Sequence, residues 1–150
     1  MEITQVKKEK REPGLVEGLL SVWESSVRAT HLFLREGDVD YLRPFVKRGL
    51  QEVPLLFYAE ENEAPCAFLG MDGDSIEMLF VAEELRSQGI GSALMRQALT
   101  LGARRVDVNE QNPQALDFYR RFGFEVVSRD EVDSLGLPYT ILHCALSEQD

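Results

Sequence analysis

The spacing of apolar residues changes from strand-like to helical within one stretch, Ser75 to Leu101. Ile76, Met78 and Phe80 alternate with their neighbours, which is the pattern of a β-strand. Further along, apolar residues recur at helical spacing, at Ile90, Leu94, Ala98 and Leu101. Because two glycines separate the patterns, the stretch predicts a strand, a tight turn and a helix.

Upstream of this stretch, the pattern predicts one strand and two helices. The strand covers Ile3 to Lys7. The first helix follows Pro13-Gly14 and has a buried stripe at Leu15, Leu19, Val22, Trp23 and Val27. The pattern is interrupted between Arg28 and Leu34. A second helix begins at Gly37-Asp38 and runs through the apolar positions Tyr41, Leu42, Phe45, Val46 and Leu50.

Two further strands precede the central one and form an antiparallel meander with it. Leu55 to Glu60 and Ala64 to Met71 are separated by the turn residues Glu61-Asn62-Glu63. The turn Asp72-Gly73-Asp74 then leads into the central strand. This order predicts three adjacent strands.

The C-terminal third contains a strand, a helix and two more strands. The first strand is short and covers 106–108, and the last two strands cover 124–128 and 139–146. The helix between them has Asn112 as its cap, Pro113 in its first turn and Gly123 at its end. No repeat, linker or low-complexity tract divides the chain. The sequence therefore predicts one mixed α/β domain over residues 1–150.

Composition narrows the range of functions. The chain has 150 residues, of which 44% are hydrophobic, enough for a sizeable core. Its 26 acidic and 16 basic side chains give a formal charge of −10, which argues against a nucleic-acid partner and is compatible with a cationic acceptor. Solubility is the alternative reason for the acidic excess.

No apolar run approaches the roughly 20 residues of a membrane span, and the N-terminus is charged rather than signal-like. We therefore expect a cytoplasmic protein with no membrane partner. Cys66 and Cys144 lie in apolar, strand-like segments and are interpreted as core residues. No metal site is expected.

The turn from Arg86 to Gly91 has the features of an anion site. Gly89 and Gly91 allow close backbone approach at a helix start, where the first N–H groups lack partners. Arg86 adds donors suited to phosphate oxygens. The chain has no Gly-x-x-x-x-Gly-Lys-Ser/Thr motif, and Leu94 stands where a dinucleotide fold needs a small residue. We expect a pyrophosphate held by backbone groups.

These motifs resemble those of a known family. Val81 to Leu94, with its Arg-x-x-Gly-x-Gly core, is similar to motif A of the GNAT N-acetyltransferases, and Asn112 to Phe124 is similar to motif B. The resemblance implies a mixed, mostly antiparallel sheet of about seven strands, splayed between the fourth and fifth strands and flanked by about four helices. The parallel pair at that point needs a crossover helix, which residues 90–101 can supply.

The resemblance also implies acetyl-coenzyme A as the acetyl donor, coenzyme A as product and an amine as acceptor. The expected cofactor contacts come from the central strand, the glycine turn and the motif B helix. They are Leu79, Phe80, Val81, Arg86, Ser87, Gln88, Gly89, Ile90, Gly91, Ser92, Asn112, Ala115 and Tyr119. Backbone N–H groups near Phe80 and Val81 are expected to stabilise negative charge on the carbonyl oxygen.

Tyr119 is the expected general acid. Asn112, Ala115 and Tyr119 share one helical face, and the family often has its acid at the tyrosine of Phe-Tyr-x-x-x-Gly-Phe. A tyrosine is protonated at neutral pH and can donate to the leaving thiolate in a direct transfer through a tetrahedral intermediate. A buried aromatic residue whose hydroxyl only finds a partner is the alternative.

The general base is left open by the sequence. Asp107 and Asn109 share one face of their short strand and are candidates to position the acceptor or a water. Glu110 is either a helix cap or a solvated charge. His143 is interpreted as structural, because the last strand must bury one face.

The acceptor site is expected to include Arg28, His31 and Phe33, with walls from Ser26 to Glu36 and from Arg129 to Tyr139. Neither wall identifies the amine, which can belong to a small metabolite, an antibiotic, a peptide N-terminus or a lysine. A monomer or homodimer is expected.

Two other functions compete with the enzyme. One is a non-catalytic domain that binds or senses acetyl-coenzyme A, and Tyr119 argues against it because sensing needs no proton donor. The other, a nucleotide-binding regulator, is disfavoured by the missing third glycine and the absence of a basic patch.

Overall fold

The computed structural model describes residues 2–31, 34–35 and 37–147, which form one seven-stranded sheet with flanking helices. In chain order the strands are β1 Ile3–Gln5, β2 Leu55–Glu61, β3 Ala64–Asp72, β4 Ser75–Val81, β5 Arg105–Asn109, β6 Phe124–Asp130 and β7 Ile141–Leu146. Across the sheet they are ordered β1-β2-β3-β4-β5-β7-β6. All neighbours are antiparallel except β4 and β5. The expected mixed, mostly antiparallel sheet is confirmed.

Four α-helices lie in the described residues, as expected: α1 Pro13–Thr30, α2 Asp38–Glu52, α3 Ile90–Thr100 and α4 Pro113–Arg121. Short 3-10 turns occupy Lys8–Lys10 and Glu83–Leu85. The predicted cap of α4 is present, since the Ala115 N–H donates to Asn112 Oδ1 at 3.2 Å. Among the described residues, the protein contains no helix with the length and apolar character needed to cross a membrane.

The helices bury their apolar faces on opposite sides of the sheet. α3 and α4 pack against one face, where Leu94, Met95 and Phe124 are fully buried. α1 and α2 cover the other face, with Leu19, Leu20, Leu50 and Phe68 at the centre of that cluster. Trp23, Cys66 and Cys144 are buried as predicted, and both cysteines are free thiols.

Helix α2 uses only part of its apolar surface for packing. Val39 and Leu50 are buried and Leu42 and Val46 are half-buried, and these positions form one helical face. Two of the apolar residues that predicted this helix, Tyr41 and Phe45, lie on the opposite face, 50% and 45% exposed, with ring centroids 5.5 Å apart. The periodicity located the helix correctly but did not show which side faces the core.

Strands β4 and β5 separate soon after they begin. Ser75 pairs with Arg105 and Ile76 pairs with Val106, and no later residues of these two strands pair with each other. At the same point β4 has a β-bulge, because Gly70 lies opposite Met78 while Met71 lies opposite Ile76, which leaves Glu77 as the extra residue. The expected splay between the fourth and fifth strands is confirmed.

Candidate active site

A cleft of about 940 Å³ occupies the gap between β4 and β5. Residues from the C-terminal half of α1, from both strands, from the glycine turn and from α4 line it. Past Ile76, one edge of β4 has no partner strand, so backbone groups along that edge face the cleft. Leu79, Phe80 and Val81 are among the lining residues. The cleft is therefore a slot with an open strand edge on one side.

The glycine turn forms one end of this slot. Gly89 precedes α3 in the left-handed conformation with φ of 84°, which a glycine adopts without strain, and Ser87 has φ of 66°. The hydrogen bond from the Ala93 N–H to the Gly89 carbonyl is the first of the helix. The preceding N–H groups therefore lack helical acceptors, which makes this end of the cleft suited to an anion.

Most of the cofactor-contact residues expected from the sequence lie on this cleft. They are Leu79, Phe80, Val81, Arg86, Ser87, Gly89, Gly91, Ser92, Asn112, Ala115 and Tyr119. Two are not among its lining residues. The side chain of Ile90, the first residue of α3, is buried in the core, and Gln88 is exposed outside the cleft.

Arg86 connects the glycine turn to α4. Its Nη2 donates to Gln114 Oε1 at 2.6 Å, and its Nη1 donates to Glu83 Oε2 at 3.2 Å. Gln114 belongs to the first turn of α4, so the guanidinium lies at the mouth of the slot between the two helix starts. Its charge reinforces the preference of this end for an anion.

Tyr119 lies on the α4 side of the slot and is buried, with its ring packed edge-on against Phe118 and Phe124 at centroid distances of 5.2 and 5.9 Å. No side chain or backbone group of residues 2–31, 34–35 and 37–147 hydrogen-bonds to its hydroxyl. Burial raises the pKa of Tyr119, and the nearby Cys144 thiol raises it further. The tyrosine is therefore fully protonated at neutral pH.

The other end of the slot, where β4 and β5 meet, carries two carboxylates. Glu77 and Asp107 are the first residues beyond the last pair, and both line the cleft. Glu77 is open to solvent, yet partial desolvation by the surrounding protein raises its pKa, and the charges of Asp72 and Asp107 raise it further. Glu77 was not predicted from the sequence, because the bulge that places it here depends on pairing with β3.

Asn109 and Asp107 both line the cleft and already have hydrogen-bond partners. Asn109 Oδ1 accepts from the Gln111 N–H at 2.9 Å, which shapes the turn after β5. Asp107 Oδ1 lies 2.7 Å from His143 Nδ1. Glu110 forms an ion pair with Arg129 at 2.7 Å on the surface and is not among the residues that line the cleft.

The position of His143 differs from the prediction. From the sequence, this residue is interpreted as a structural one on the buried face of the last strand. Leu142 and Cys144 fill the buried face of β7, so His143 lies on the opposite, outer face. Its Nε2 is 2.7 Å from Asp130 Oδ2, while Nδ1 faces Asp107. Hydrogen bonds to Asp130 and then Asp107 raise the pKa of His143, which favours the imidazolium form.

Of the three residues expected to bind the acceptor, only His31 is found on the cleft within the described residues. His31 ends α1, lines the cleft, and has its Nε2 3.4 Å from the Asn112 amide nitrogen. Burial lowers the pKa of His31, which keeps the imidazole neutral. Arg28 pairs with Glu24 at 3.0 Å outside the cleft lining, and Phe33 lies outside the described residues.

A hydrogen bond joins the second of the two segments expected to form the acceptor walls to the start of α2, just beyond the first segment. Tyr139, just before β7, donates its hydroxyl proton to Asp38 Oδ2 at the start of α2. This hydrogen bond is the main cause of a lowered pKa at Asp38, followed by the hydrogen bond from the Arg35 N–H. The contact joins the α1–α2 region to the segment before β7.

Comparison with known proteins gives three consistent similarities. Residues 54–126 match the model of the acetyltransferase (GNAT) domain. The chain is 39% identical over 139 residues to peptidyl-lysine N-acetyltransferase YjaB of Salmonella typhimurium, covering 92% of this chain and 94% of that protein. It also resembles the solution structure of apo-form YjaB from Escherichia coli, with a TM-score of 0.82 and 35% identity, covering 99% and 100% of the two chains.

A more distant neighbour shares the fold alone. The crystal structure of aminoglycoside 6'-N-acetyltransferase complexed with coenzyme A aligns over 100% of both chains with a TM-score of 0.61 and 13% identity. The arrangement of strands and helices is thus shared with an enzyme that is named for an aminoglycoside acceptor.

Proposed function

This chain belongs to the GNAT acetyltransferase family and is an acyltransferase, and from that premise we propose that it acetylates the side-chain amine of lysine in a peptide or protein. The observation that carries the proposal is the slot between β4 and β5, with a helix start suited to an anion at one end and carboxylates at the other. The name of the Salmonella typhimurium relative supports lysine as the acceptor. A cationic amine also suits a cleft end that carries Glu77 and Asp107.

The residues of the slot fit acetyl-coenzyme A as the donor. Gly89 and Gly91 have no side chain to obstruct the first turn of α3, where a pyrophosphate would accept from backbone N–H groups. Arg86 supplies a charge to the same phosphates. The open edge of β4 offers backbone partners for the amide groups of the pantetheine arm. When bound, acetyl-coenzyme A supplies the acetyl group as a thioester.

Backbone groups of β4 and the side chain of Tyr119 have distinct tasks in this proposal. Backbone N–H groups near Phe80 and Val81 stabilise negative charge that develops on the carbonyl oxygen. The Tyr119 hydroxyl gives its proton to the leaving thiolate. Its raised pKa makes it a weaker acid than a free tyrosine, but it guarantees that the proton is present at every physiological pH.

The two carboxylates prepare the acceptor. A lysine amine is protonated in solution, with a pKa of about 10.4, so it enters as a cation and must lose a proton before attack. Asp107 is suited to holding the ammonium by charge. Glu77, whose pKa is raised, is the base in this proposal and accepts the proton directly or through a water, with Asn109 lining the same cleft.

The proposal is tested with purified protein, acetyl-coenzyme A and a panel of acceptors. The panel contains peptides with one internal lysine and a blocked N-terminus, the same peptides with lysine replaced by arginine, and small amines including an aminoglycoside. Thiol release gives turnover, and mass spectrometry locates the acetyl group. We expect acetylation at the lysine side chain and none in the arginine peptides.

Two results would contradict the proposal in different ways. Turnover with small amines alone would keep the enzyme and replace the acceptor. Tight coenzyme A binding with no turnover on any amine would favour a domain that senses acetyl-coenzyme A.

A further inference from the structure

We infer that His143 and Asp130 are positioning residues, which hold the Asp107 carboxylate at the inner end of the slot so that it can bind the ammonium of the acceptor. The inference rests on the proposed function, since it concerns how that acceptor is held. Neither residue lines the cleft, and both act through Asp107. The contacts that carry it come from three neighbouring strands.

The sheet register brings the three side chains together. Asp107 on β5 lies directly opposite His143 on β7, and Ser128 on β6 lies opposite His143 from the other side. Asp130 is two positions further along β6 and reaches the ring diagonally. Both ring nitrogens are 2.7 Å from a carboxylate oxygen, so the imidazole spans from β6 to the edge of the slot.

The protonation pattern follows from these contacts. A carboxylate accepts hydrogen bonds and does not donate them, so a ring between two carboxylates is most stable as imidazolium, with both N–H groups donating. The imidazolium cancels one of the two negative charges and fixes the Oδ1 atom of Asp107. Asp107 Oδ2 accepts no hydrogen bond from the residues that the structure describes and is left for the acceptor ammonium.

The three side chains match a positioning role better than they match a metal site or an ion-pair cluster that only stabilises the fold. His143 uses both nitrogens as bridges, and the described part of the chain contains no group of three His, Cys, Asp or Glu side chains arranged to hold a metal ion. A purely stabilising role would be small, because the two carboxylates are 64% and 69% exposed and exposed ion pairs contribute little. The position of Asp107 on the cleft gives the cluster a functional reason.

The pH dependence has a definite sign. Asp107 from β5 and Asp130 from β6 are the charged groups that act on His143 from its two flanking strands, and both raise its pKa. The bridge is therefore complete at and below the ordinary histidine pKa of 6.5, and it is lost as the pH rises through the higher value of the folded protein. Acceptor binding through Asp107 should weaken over the same range.

The kinetic test compares three variants with the wild type on the lysine peptide. His143→Ala removes the bridge, Asp130→Asn keeps the ring and weakens one end, and Asp74→Asn is the control. Asp74 is an exposed carboxylate paired with Arg105 at 2.8 Å, outside the cleft lining. We expect kcat/KM for the peptide to fall about 10- to 100-fold in His143→Ala and by a smaller factor in Asp130→Asn, mainly through acceptor KM.

Several readouts separate positioning from general loss of structure. The coenzyme A Kd and the melting temperature of His143→Ala should stay near the wild-type values, and added imidazole should restore part of its activity. The control Asp74→Asn should match the wild type. Unchanged peptide kcat/KM in His143→Ala, measured with an active wild type, would overturn the inference and leave the proposed function intact.

An NMR titration supplies a readout independent of activity. The chain has two histidines, so the spectrum of the His143→Ala variant assigns both. The pKa of His143 should be above the ordinary value and should fall in Asp107→Asn and in Asp130→Asn. Identical titration in all three proteins would overturn the inference. A wild type that acetylates no lysine peptide would overturn the proposed function together with it.

Discussion

Tyr119, Glu77 and His31 line the same cleft, and burial or partial desolvation changes the acid–base properties of each one. The pKa of Tyr119 is raised, which keeps a proton available for the leaving group. The pKa of Glu77 is raised, which makes it a better base. The pKa of His31 is lowered, which keeps a neutral ring beside Asn112. The directions at Tyr119 and Glu77 suit the proton donor and the base of the proposed acetylation.

Glu77→Gln should lower kcat and slightly raise the melting temperature at neutral pH. The folded protein holds Glu77 with a pKa above its ordinary value of 4.5, so the folded state binds more protons than the unfolded state as the pH rises. The folded state therefore loses stability as the pH rises from the ordinary pKa of Glu77 through its raised pKa in the folded protein. Glutamine does not ionise, so the variant should not lose this stability. The gain should shrink below the ordinary pKa, where both states are protonated.

Thermal melts at neutral and acidic pH, together with peptide kinetics, check this prediction on one preparation. Equal kcat in the variant and the wild type would remove Glu77 from the chemistry. A lower melting temperature at neutral pH would show that its charge is well solvated.

Local motifs in the sequence were enough to locate some of these residues. Tyr119 and Asn112 follow from helical spacing and capping, because both depend on neighbours a few positions away. Glu77 and the outward position of His143 were not predictable, since they depend on a β-bulge against β3 and on the register between β5, β6 and β7. Residues whose role depends on cross-strand register need the structure.

The start of α3 is the part of the slot that a single added side chain can obstruct. Gly89→Val places a branched side chain at φ of 84° next to the expected phosphate position. Gly102→Val is a matched control at the other end of α3, with φ of 94° and no neighbouring atom within 4 Å of an added Cβ, as at Gly89. Both variants should lose roughly 1–2 kcal/mol of stability.

Only Gly89→Val should also lose coenzyme A binding, because only that position lines the cleft. Calorimetry of both folded variants measures the difference. Equal coenzyme A affinity in the two would place the pyrophosphate elsewhere.

Helices and strands were predicted well from periodicity, and their limits less well. β6 extends to Asp130 rather than Ser128, and β7 begins at Ile141 rather than Tyr139, because hydrogen bonding between these two strands sets their ends. The exposed positions of Tyr41 and Phe45 on α2 likewise depend on which side packs against the sheet. The parallel pairing of β4 with β5 came from the resemblance to the family rather than from the pattern alone.

At the scale of the whole molecule, the formal charge of −10 should favour encounter with a cationic acceptor. We expect kcat/KM for a lysine peptide with basic neighbours to fall as ionic strength rises, because salt shortens the Debye length to about 10 Å at 0.1 M. A peptide with acidic neighbours is the control and should show the opposite trend or none. A flat response with the basic peptide would contradict electrostatic steering.

In the proposed reaction, acetyl transfer takes place in the slot between β4 and β5 with Tyr119 as the proton donor. The most direct measurement is kcat of Tyr119→Phe with acetyl-coenzyme A and a lysine peptide, taken with coenzyme A Kd and melting temperature on the same protein. Phenylalanine keeps the packing against Phe118 and Phe124 and removes only the hydroxyl. We expect kcat to fall about 10²–10⁴-fold with Kd and melting temperature nearly unchanged. Wild-type kcat in this variant would show that Tyr119 is not the proton donor.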